Sequence, residues 1–326
     1  GGSPGSHGAL VSATGPIAVT GATGFLGRYI VNHLLGEGHE CRCWYRETSD
    51  RGGFDEHATG RLAWVPGDLG DAESADRLVE HADAVVHSAL YRPGAGFRGA
   101  EGDLVVFAER NVLGTLRLME AARRAKVGRF VFISTCAVHE KILEDRALDE
   151  AHPLWPTSHY GAHKAAIEKF VHSYGLGGGW EICALRPTGI YGLARPAEAS
   201  RWYDLIRGVA AGQPVHSPRG GKEVHALDVA RAVGILLKAP GVAGQAYNCY
   251  DRYVSEEEVA RIARDLTGGK SEISNLNQGP RNEIVTDKLR ALGMTFGGQP
   301  LLEQTVRQLL SAAQASPRPE QSRDRA

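Results

Sequence analysis

The chain has 326 residues, 42% of them hydrophobic, with 37 Lys and Arg set against 38 Asp and Glu. That balance offers no electrostatic footprint for nucleic acid or an anionic membrane, and no apolar run approaches the ~18 residues that a spanning helix needs. The expected partner is a small molecule, with no nucleic acid and no membrane, and the chain is long enough to bury a substantial core.

In chain order, residues 1–15 lack a basic start followed by an apolar stretch, so they read as a disordered extension and not as a secretory signal. Ile17 to Thr20 is a short buried strand that runs straight into Gly21-Ala22-Thr23-Gly24-Phe25-Leu26-Gly27. Strand, glycine turn and helix start in one line make a grip for the pyrophosphate of a dinucleotide. Gly21 turns tightly without a Cβ, Gly24 lets backbone N–H groups approach the anion, and Gly27 packs the helix onto the strand. The spacing is G-x-x-G-x-x-G, so the general G-x-G-x-x-G fingerprint is met only loosely and needs support from other sites. Further apolar runs at Cys41 to Tyr45, Leu62 to Val65, Ala84 to His87, Phe130 to Ile133 and Ile182 to Leu185 alternate with helical patterns. This alternation predicts an α/β fold, a Rossmann-like doubly wound parallel sheet whose ligands bind at the carboxyl ends of its strands. Breakers at Arg195-Pro196 and from Pro214 to Gly221 mark off a smaller, mostly helical C-terminal part. We expect a dinucleotide-binding domain over 16–190, to which 225–250 return, a substrate-binding part over 191–224 and 251–312, and a polar disordered tail over 313–326.

The chemistry is suggested by Ser134-Thr135 at the end of the fifth run and, 25 positions after Thr135, by Tyr160-Gly161-Ala162-His163-Lys164. Tyr160 and Lys164 are four apart and share a helix face, so the ammonium can stand near the hydroxyl and favour its phenolate. A phenol with a pKa of ~10 is a poor base at neutral pH, and a nearby cation lowers it. Thr135 would hold the substrate oxygen, which makes Thr135, Tyr160 and Lys164 the candidate catalytic set. The same Tyr-x-x-x-Lys spacing occurs as a merely solvated pair on many helices, and it is the combination with the glycine turn that is specific. Five scattered cysteines, Cys41, Cys43, Cys136, Cys183 and Cys249, suit reduced core thiols better than disulfides or a metal site, and the cytoplasm is the default location.

With these motifs the chain resembles the extended short-chain dehydrogenases/reductases, in their NAD(P)-dependent epimerase/dehydratase branch, from Pro16 to Leu310. The matching pieces are TGATGFLG from Thr20, GDL from Gly67, HSA from His87, FVFISTCAV from Phe130, YGAHK from Tyr160, LRPTGIYG from Leu185 and EVHALDVARAV from Glu223. The resemblance implies cofactor contacts from Gly21, Thr23, Gly24, Phe25, Leu26, Gly27, Arg46, Asp68, Leu69, Ser88, Ala89, Tyr160, Lys164, Pro187 and Thr188. It implies a homodimer formed through the helices that contain Asn111 and Tyr160. Candidates for the substrate side are Tyr91, Cys136, His139, Tyr191, Lys222 and Arg281.

Departures from the family pattern sharpen the reading. Where NAD-using relatives place an acidic residue at the end of the second strand, this chain has Tyr45, then Arg46, Ser49 and Arg51. A guanidinium there suits the 2'-phosphate of NADP, so NADP is favoured over NAD, the alternative being that Arg46 is a solvated loop cation. Asp68 either flanks the adenine or caps the next helix beside Asp71. The acidic pair that the dehydratases carry after the catalytic threonine is Cys136 and Ala137 here, and neither can protonate a leaving hydroxyl. His139 and Glu140 replace the usual tyrosine and glycine, and His139 either relays a proton or fills the tyrosine's space. An arginine common in nucleotide-sugar enzymes, four residues before the position of His225, is Gly221, with Arg219 and Lys222 nearby. Arg281 is a further anion contact or an exposed loop cation. The resemblance therefore implies an NAD(P)-dependent oxidoreductase/epimerase acting on a secondary alcohol or ketone of a nucleotide-linked sugar. The alternatives are an NADPH-dependent reductase of a non-nucleotide ketone or aldehyde, or a non-catalytic redox-sensing binding protein.

Overall fold

The apolar runs of the sequence are rich in Val, Ile, Phe and Cys, and each becomes a strand in the computed structural model, which describes residues 15–315 apart from 95 and 97. The expectations for residues 1–14 and 316–326 lie outside the described residues. In chain order come β1 (Ile17–Thr20), α1 (Phe25–Gly36), β2 (Cys41–Tyr45), β3 (Leu62–Pro66), α2 (Ala72–Val79) and β4 (Ala84–His87). Next are α3 (Leu104–Ala108), α4 (Gly114–Arg124), β5 (Arg129–Ile133), α5 (His159–His172), β6 (Glu181–Pro187), β7 (Gly189–Tyr191) and α6 (Tyr203–Ala210). The remainder is β8 (Gly220–His225), α7 (Ala226–Lys238), β9 (Gln245–Cys249), β10 (Arg252–Ser255), α8 (Glu256–Thr267), α9 (Asp287–Arg290) and α10 (Gly298–Ala315).

Seven of the strands form one sheet in the order β3-β2-β1-β4-β5-β6-β9, and every pairing in it is parallel. The chain leaves β1 for β2 and β3 on one side and crosses back to β4 on the other, so the topology switches between β1 and β4, the place where such sheets open a ligand crevice. Strand side chains alternate with period two. Ala18, Val85, Phe130, Phe132, Ile182 and Ala184 join one cluster with Leu78 of α2, Leu118 and Met119 of α4, and Ile167 and Val171 of α5. The intervening Ile17, Val19, Val86, Val131 and Cys183 are equally buried. A strand buried on both faces needs no polar alternation, which is why these runs read as continuously apolar.

The chain divides into two compact units, one of residues up to 190 with 226–250 and 282–296, the other of 191–225, 251–281 and residues from 297. Two expectations need correction. Residues 282–296 belong with the sheet and not with the smaller part: Asn248 donates to the Val285 carbonyl at 3.1 Å, and Lys288 donates to Gln245 Oε1 at 2.7 Å and the Ala246 carbonyl at 2.9 Å. Residues 313–315 are not tail but the last turn of α10. The second unit packs α6, α8 and α10 around Tyr203, Ile206, Val259, Leu302, Val306 and Leu309. It also holds an antiparallel β8–β10 pair, with Lys222 opposite Tyr253, which the expectation of a mostly helical part did not specify. Among the described residues no helix is long and apolar enough to cross a membrane.

Candidate active site

Gly21, Arg46, Asp68, Ser88, Thr135 and Thr188 each follow the carboxyl end of a strand of the parallel sheet, β1 to β6 in turn. The sequence positions are far apart, and the sheet gathers them on one edge. At β1 the turn is tight. Gly21 has φ +69°, and a Cβ on it would lie 2.8 Å from the Ala89 amide nitrogen. A Cβ on Gly27 would lie 1.9 Å from the Gly21 carbonyl oxygen. Gly24 is the N-cap of α1, with no side-chain cap and no acidic residue in the first turn, so the leading N–H groups of α1 are left for an anion. A close backbone turn feeding an uncapped helix start fits the pyrophosphate of a dinucleotide. Thr20 Oγ1 accepts from the amides of Ser88 and Ala89 at 3.0 and 3.1 Å and meets His87 Nδ1 at 2.6 Å, which locks the ends of β1 and β4 together. Burial drives His87 down to about 3, so it stays neutral in this lock.

Farther along the edge, Arg46 is exposed, and its amide donates to Ser49 Oγ at 2.9 Å. Arg51 lies over the ring of Tyr45 at 4.4 Å. Asp68 does not cap α2: its carboxylate accepts from the Gly70 amide at 2.7 Å, and Asp71 is the N-cap, accepting from Glu73 at 3.0 Å. Leu69 is 7% exposed and belongs to the core. Pro187 is buried, and the Thr188 amide donates to the Cys249 carbonyl at 3.2 Å.

Thr135 and Tyr160 meet. Thr135 Oγ1 accepts from the Ala137 amide at 3.1 Å and is hydrogen-bonded to the Tyr160 hydroxyl. The Thr135 hydroxyl has one proton and two lone pairs, so it can bond the tyrosine oxygen while still accepting from Ala137. Burial pushes the Tyr160 hydroxyl up, while the Thr135 bond, Arg92 and Arg98 pull it back. Lys164, expected to do this, instead donates to the Ile133 carbonyl at 2.7 Å and stands 4.8 Å from the Phe132 ring centre. Burial brings its ammonium down to about 7, against a raising influence from Glu168.

The substrate-side expectations divide. Tyr91 is half-buried, with Arg110 4.6 Å from its ring centre, and Cys136 is half-buried and donates its thiol to the Arg186 carbonyl at 3.0 Å. His139 does not face an open site: it is 3% exposed, its Nε2 accepts from Arg186 Nη1 at 3.1 Å, and burial, then Arg186, hold it near 3. Tyr191 is fully buried in the second unit, its ring centre 4.9 Å from that of His225. Lys222 is half-buried on β8, and Arg281 is exposed. Beside Gly221 stands Arg201, whose Nη2 would be 3.7 Å from a Cβ at that position. It is held by buried Glu223 at 2.7 and 2.8 Å.

Three features escaped the sequence reading. Glu140 Oε1 accepts from the amides of Thr157 and Ser158 and from Ser158 Oγ, at 3.2, 3.1 and 2.6 Å, which anchors the start of α5. A π-helical turn over Glu109–Leu113 swings Asn111 onto both the amide and the carbonyl of Tyr91, each at 2.8 Å. Arg186 and Glu168 form a buried pair at 2.7 Å. Only the last left a sequence signal, since Glu168 repeats the four-residue spacing of Tyr160 and Lys164.

A family model for the NAD dependent epimerase/dehydratase family matches residues 17–249. The dTDP-glucose 4,6-dehydratase of Streptomyces antibioticus is 35% identical over 187 residues, which are 54% of this chain and 53% of that protein. The 3 beta-hydroxysteroid dehydrogenase/Delta 5-->4-isomerase of Mycobacterium tuberculosis (strain CDC 1551 / Oshkosh) is 31% identical over 189 residues, 56% of this chain and 49% of that protein. The chain thus spans about half the length of these curated relatives. The structure of the Thermus thermophilus UDP-glucose 4-epimerase in complex with NAD matches with a TM-score of 0.71 at 26% identity, covering 90% of this chain and 98% of that one.

Proposed function

The chain belongs to the NAD dependent epimerase/dehydratase family, and from that premise we propose that it moves a hydride at a secondary alcohol or ketone of a nucleotide-linked sugar, as epimerase or oxidoreductase. The observation that carries this is the Thr135–Tyr160 hydrogen bond at the end of β5, with Lys164 on the same helix face as Tyr160. A dinucleotide bound there would supply the hydride chemistry, through its nicotinamide ring. The chain's own residues do the rest. The turn from Gly21 to Gly27 receives the pyrophosphate, Tyr160 takes or returns the hydroxyl proton, Thr135 orients the oxygen, and Lys164 supplies positive charge one turn away.

Arg46 favours NADP. It is exposed, and no acidic side chain stands at Tyr45 to bind the ribose hydroxyls. Net dehydration is excluded from the proposal: Cys136 and Ala137 supply no acid or base, Glu140 is committed to three donors at Oε1 and to Arg98 at Oε2, and His139 is neutral against Arg186. A second reading, reduction of a non-nucleotide ketone, is favoured by Gly221 and by the neutralisation of neighbouring Arg201 through Glu223. The steroid dehydrogenase relative is in keeping with it. Self-association as a dimer is supported by exposed Leu104, Val105 and Val106 on α3 and Phe170 on α5. Free thiols, four of the five buried, support a reducing, cytoplasmic setting.

The deciding experiment incubates the protein with uridine- or thymidine-diphosphate sugars and NAD or NADP, and reads product mass. An unchanged mass with altered stereochemistry, or a change of two hydrogens, is expected, and loss of water overturns the proposal. Tyr160→Phe should fold yet turn over ~100-fold to 10,000-fold more slowly, the usual contribution of acid–base catalysis, and retention of more than about a tenth of the rate removes Tyr160 from the mechanism.

A further inference from the structure

Behind the proposed acid/base pair lies a closed set of buried charges. Glu168, on α5 one turn beyond Lys164, is fully buried, and Arg186 on β6 is 1% exposed. Arg186 Nη2 and Nε donate to Glu168 Oε1 at 2.7 and 2.9 Å, and Nε also reaches Oε2 at 3.2 Å. Ser134, the neighbour of Thr135, donates to Oε2 at 2.7 Å. A buried ion pair is weak evidence for stability, because apolar replacements of similar volume commonly serve as well or better. The pair calls for another reason, and Lys164 provides one. Lys164 is 5% exposed, and its ammonium has the Ile133 carbonyl and the face of Phe132 against it. The titratable groups around it are Tyr160 and His163 on α5, His87 on β4, and Glu168 backed by Arg186. His163 and His87 are both held neutral near 3 by burial, and burial raises Tyr160. That leaves Glu168 as the negative charge of the set.

We propose that Glu168 is a positioning residue for the acid/base site: clamped between Ser134 and Arg186 one turn beyond Lys164, it supplies the buried negative charge that keeps Lys164 an ammonium, and it ties α5 to the end of β5 at Thr135. The inference rests on the reading of Tyr160 and Lys164 as the acid/base pair. Burial brings Lys164 down to about 7 and Glu168 opposes that fall. Without the carboxylate, the lysine releases its proton at lower pH, and any step that needs the ammonium fails at lower pH.

The test titrates Lys164 directly, by NMR of lysine ε-carbons in the full chain without cofactor, with the signal assigned by its loss in Lys164→Met. The wild-type midpoint is expected near 7. Glu168→Gln should lower it by about one unit or more, and Glu168→Asp, which keeps the charge, should restore most of it. In turnover assays the alkaline limb of the pH profile should move down with the midpoint. If Glu168→Gln leaves Arg186 uncompensated and does not fold, the charge-balanced Glu168→Gln/Arg186→Met protein is used, with the same downward shift expected. An unchanged midpoint in a folded variant overturns the proposal, as does a wild-type lysine titrating near ~10.4. A shifted midpoint in a protein that turns over no sugar nucleotide leaves this inference standing and removes the substrate reading. Turnover with an unshifted midpoint does the reverse.

Discussion

At the scale of single residues, the choice of cofactor falls on Arg46. The end of β2 presents Tyr45, under the guanidinium of Arg51 at 4.4 Å, and then an exposed Arg46 whose amide is fixed by Ser49. A charge-assisted contact to a 2'-phosphate is worth ~1.5 to 3 kcal/mol, so NADP is expected to bind roughly tenfold or more tightly than NAD. Arg46→Asp should reverse the preference, and equal dissociation constants for the two cofactors in the wild-type protein would refute it. Other residues were less legible. Tyr160 and Lys164 could be paired from their spacing because helix geometry alone puts them on one face. His139 and Tyr191 were expected at the substrate, yet both are buried. Whether a polar side chain next to a motif faces ligand or core depends on what packs over it, here Arg186 and His225, and neither lies near it in sequence.

At the scale of elements, the β1–α1 turn concentrates the backbone constraint. A Cβ at Gly27 would sit 1.9 Å from a backbone oxygen, which no side-chain rotation relieves, so α1 must shift away from the strand. Gly27→Ala is therefore expected to cost more than the ~1–3 kcal/mol of ordinary overpacking and to weaken dinucleotide binding at least about tenfold. Gly36→Ala, at the end of the same helix with nothing within 4 Å of the added carbon, is the control and should leave both unchanged. Thermal melts with and without cofactor measure it, and equal behaviour of the two variants sinks the account. The turn itself was readable, since glycine at these spacings has few other uses next to a buried strand. The anchoring of α5 by Glu140 was not, because its partners Thr157 and Ser158 are 17 and 18 positions away.

At the scale of the whole molecule, burial of neutral histidines makes stability depend on pH. His87, His139 and His163 are held near 3 and His225 near 4, all chiefly by burial. Their folded values lie below the unfolded value of 6.5, so the unfolded chain binds more protons and stability falls as pH drops from 6.5 toward 3. Glu223, raised by burial to about 7, acts in the opposite direction between 4.5 and 7. Four histidines less one carboxyl leave a net uptake of about three protons on unfolding near pH 5, at about 1.4 kcal/mol per pH unit for each, and His33, His39, His172 and Glu37, all lowered in the fold, add to it. Calorimetry in buffers of different ionisation enthalpy measures that uptake, and a value below about one proton contradicts it. The sequence by itself determined the parallel sheet, and it set Tyr160 and Lys164 on one face of α5, because strand runs and helix periodicity are local constraints that survive without knowledge of partners. Only the tertiary structure decided that residues 282–296 return to the sheet unit, that His139 and Tyr191 are interior, and that Lys164 is accompanied by Glu168, Arg186 and Ser134. Those outcomes depend on which distant side chains exclude water from a given atom, and burial of that kind is a property of the assembled chain and of no segment within it.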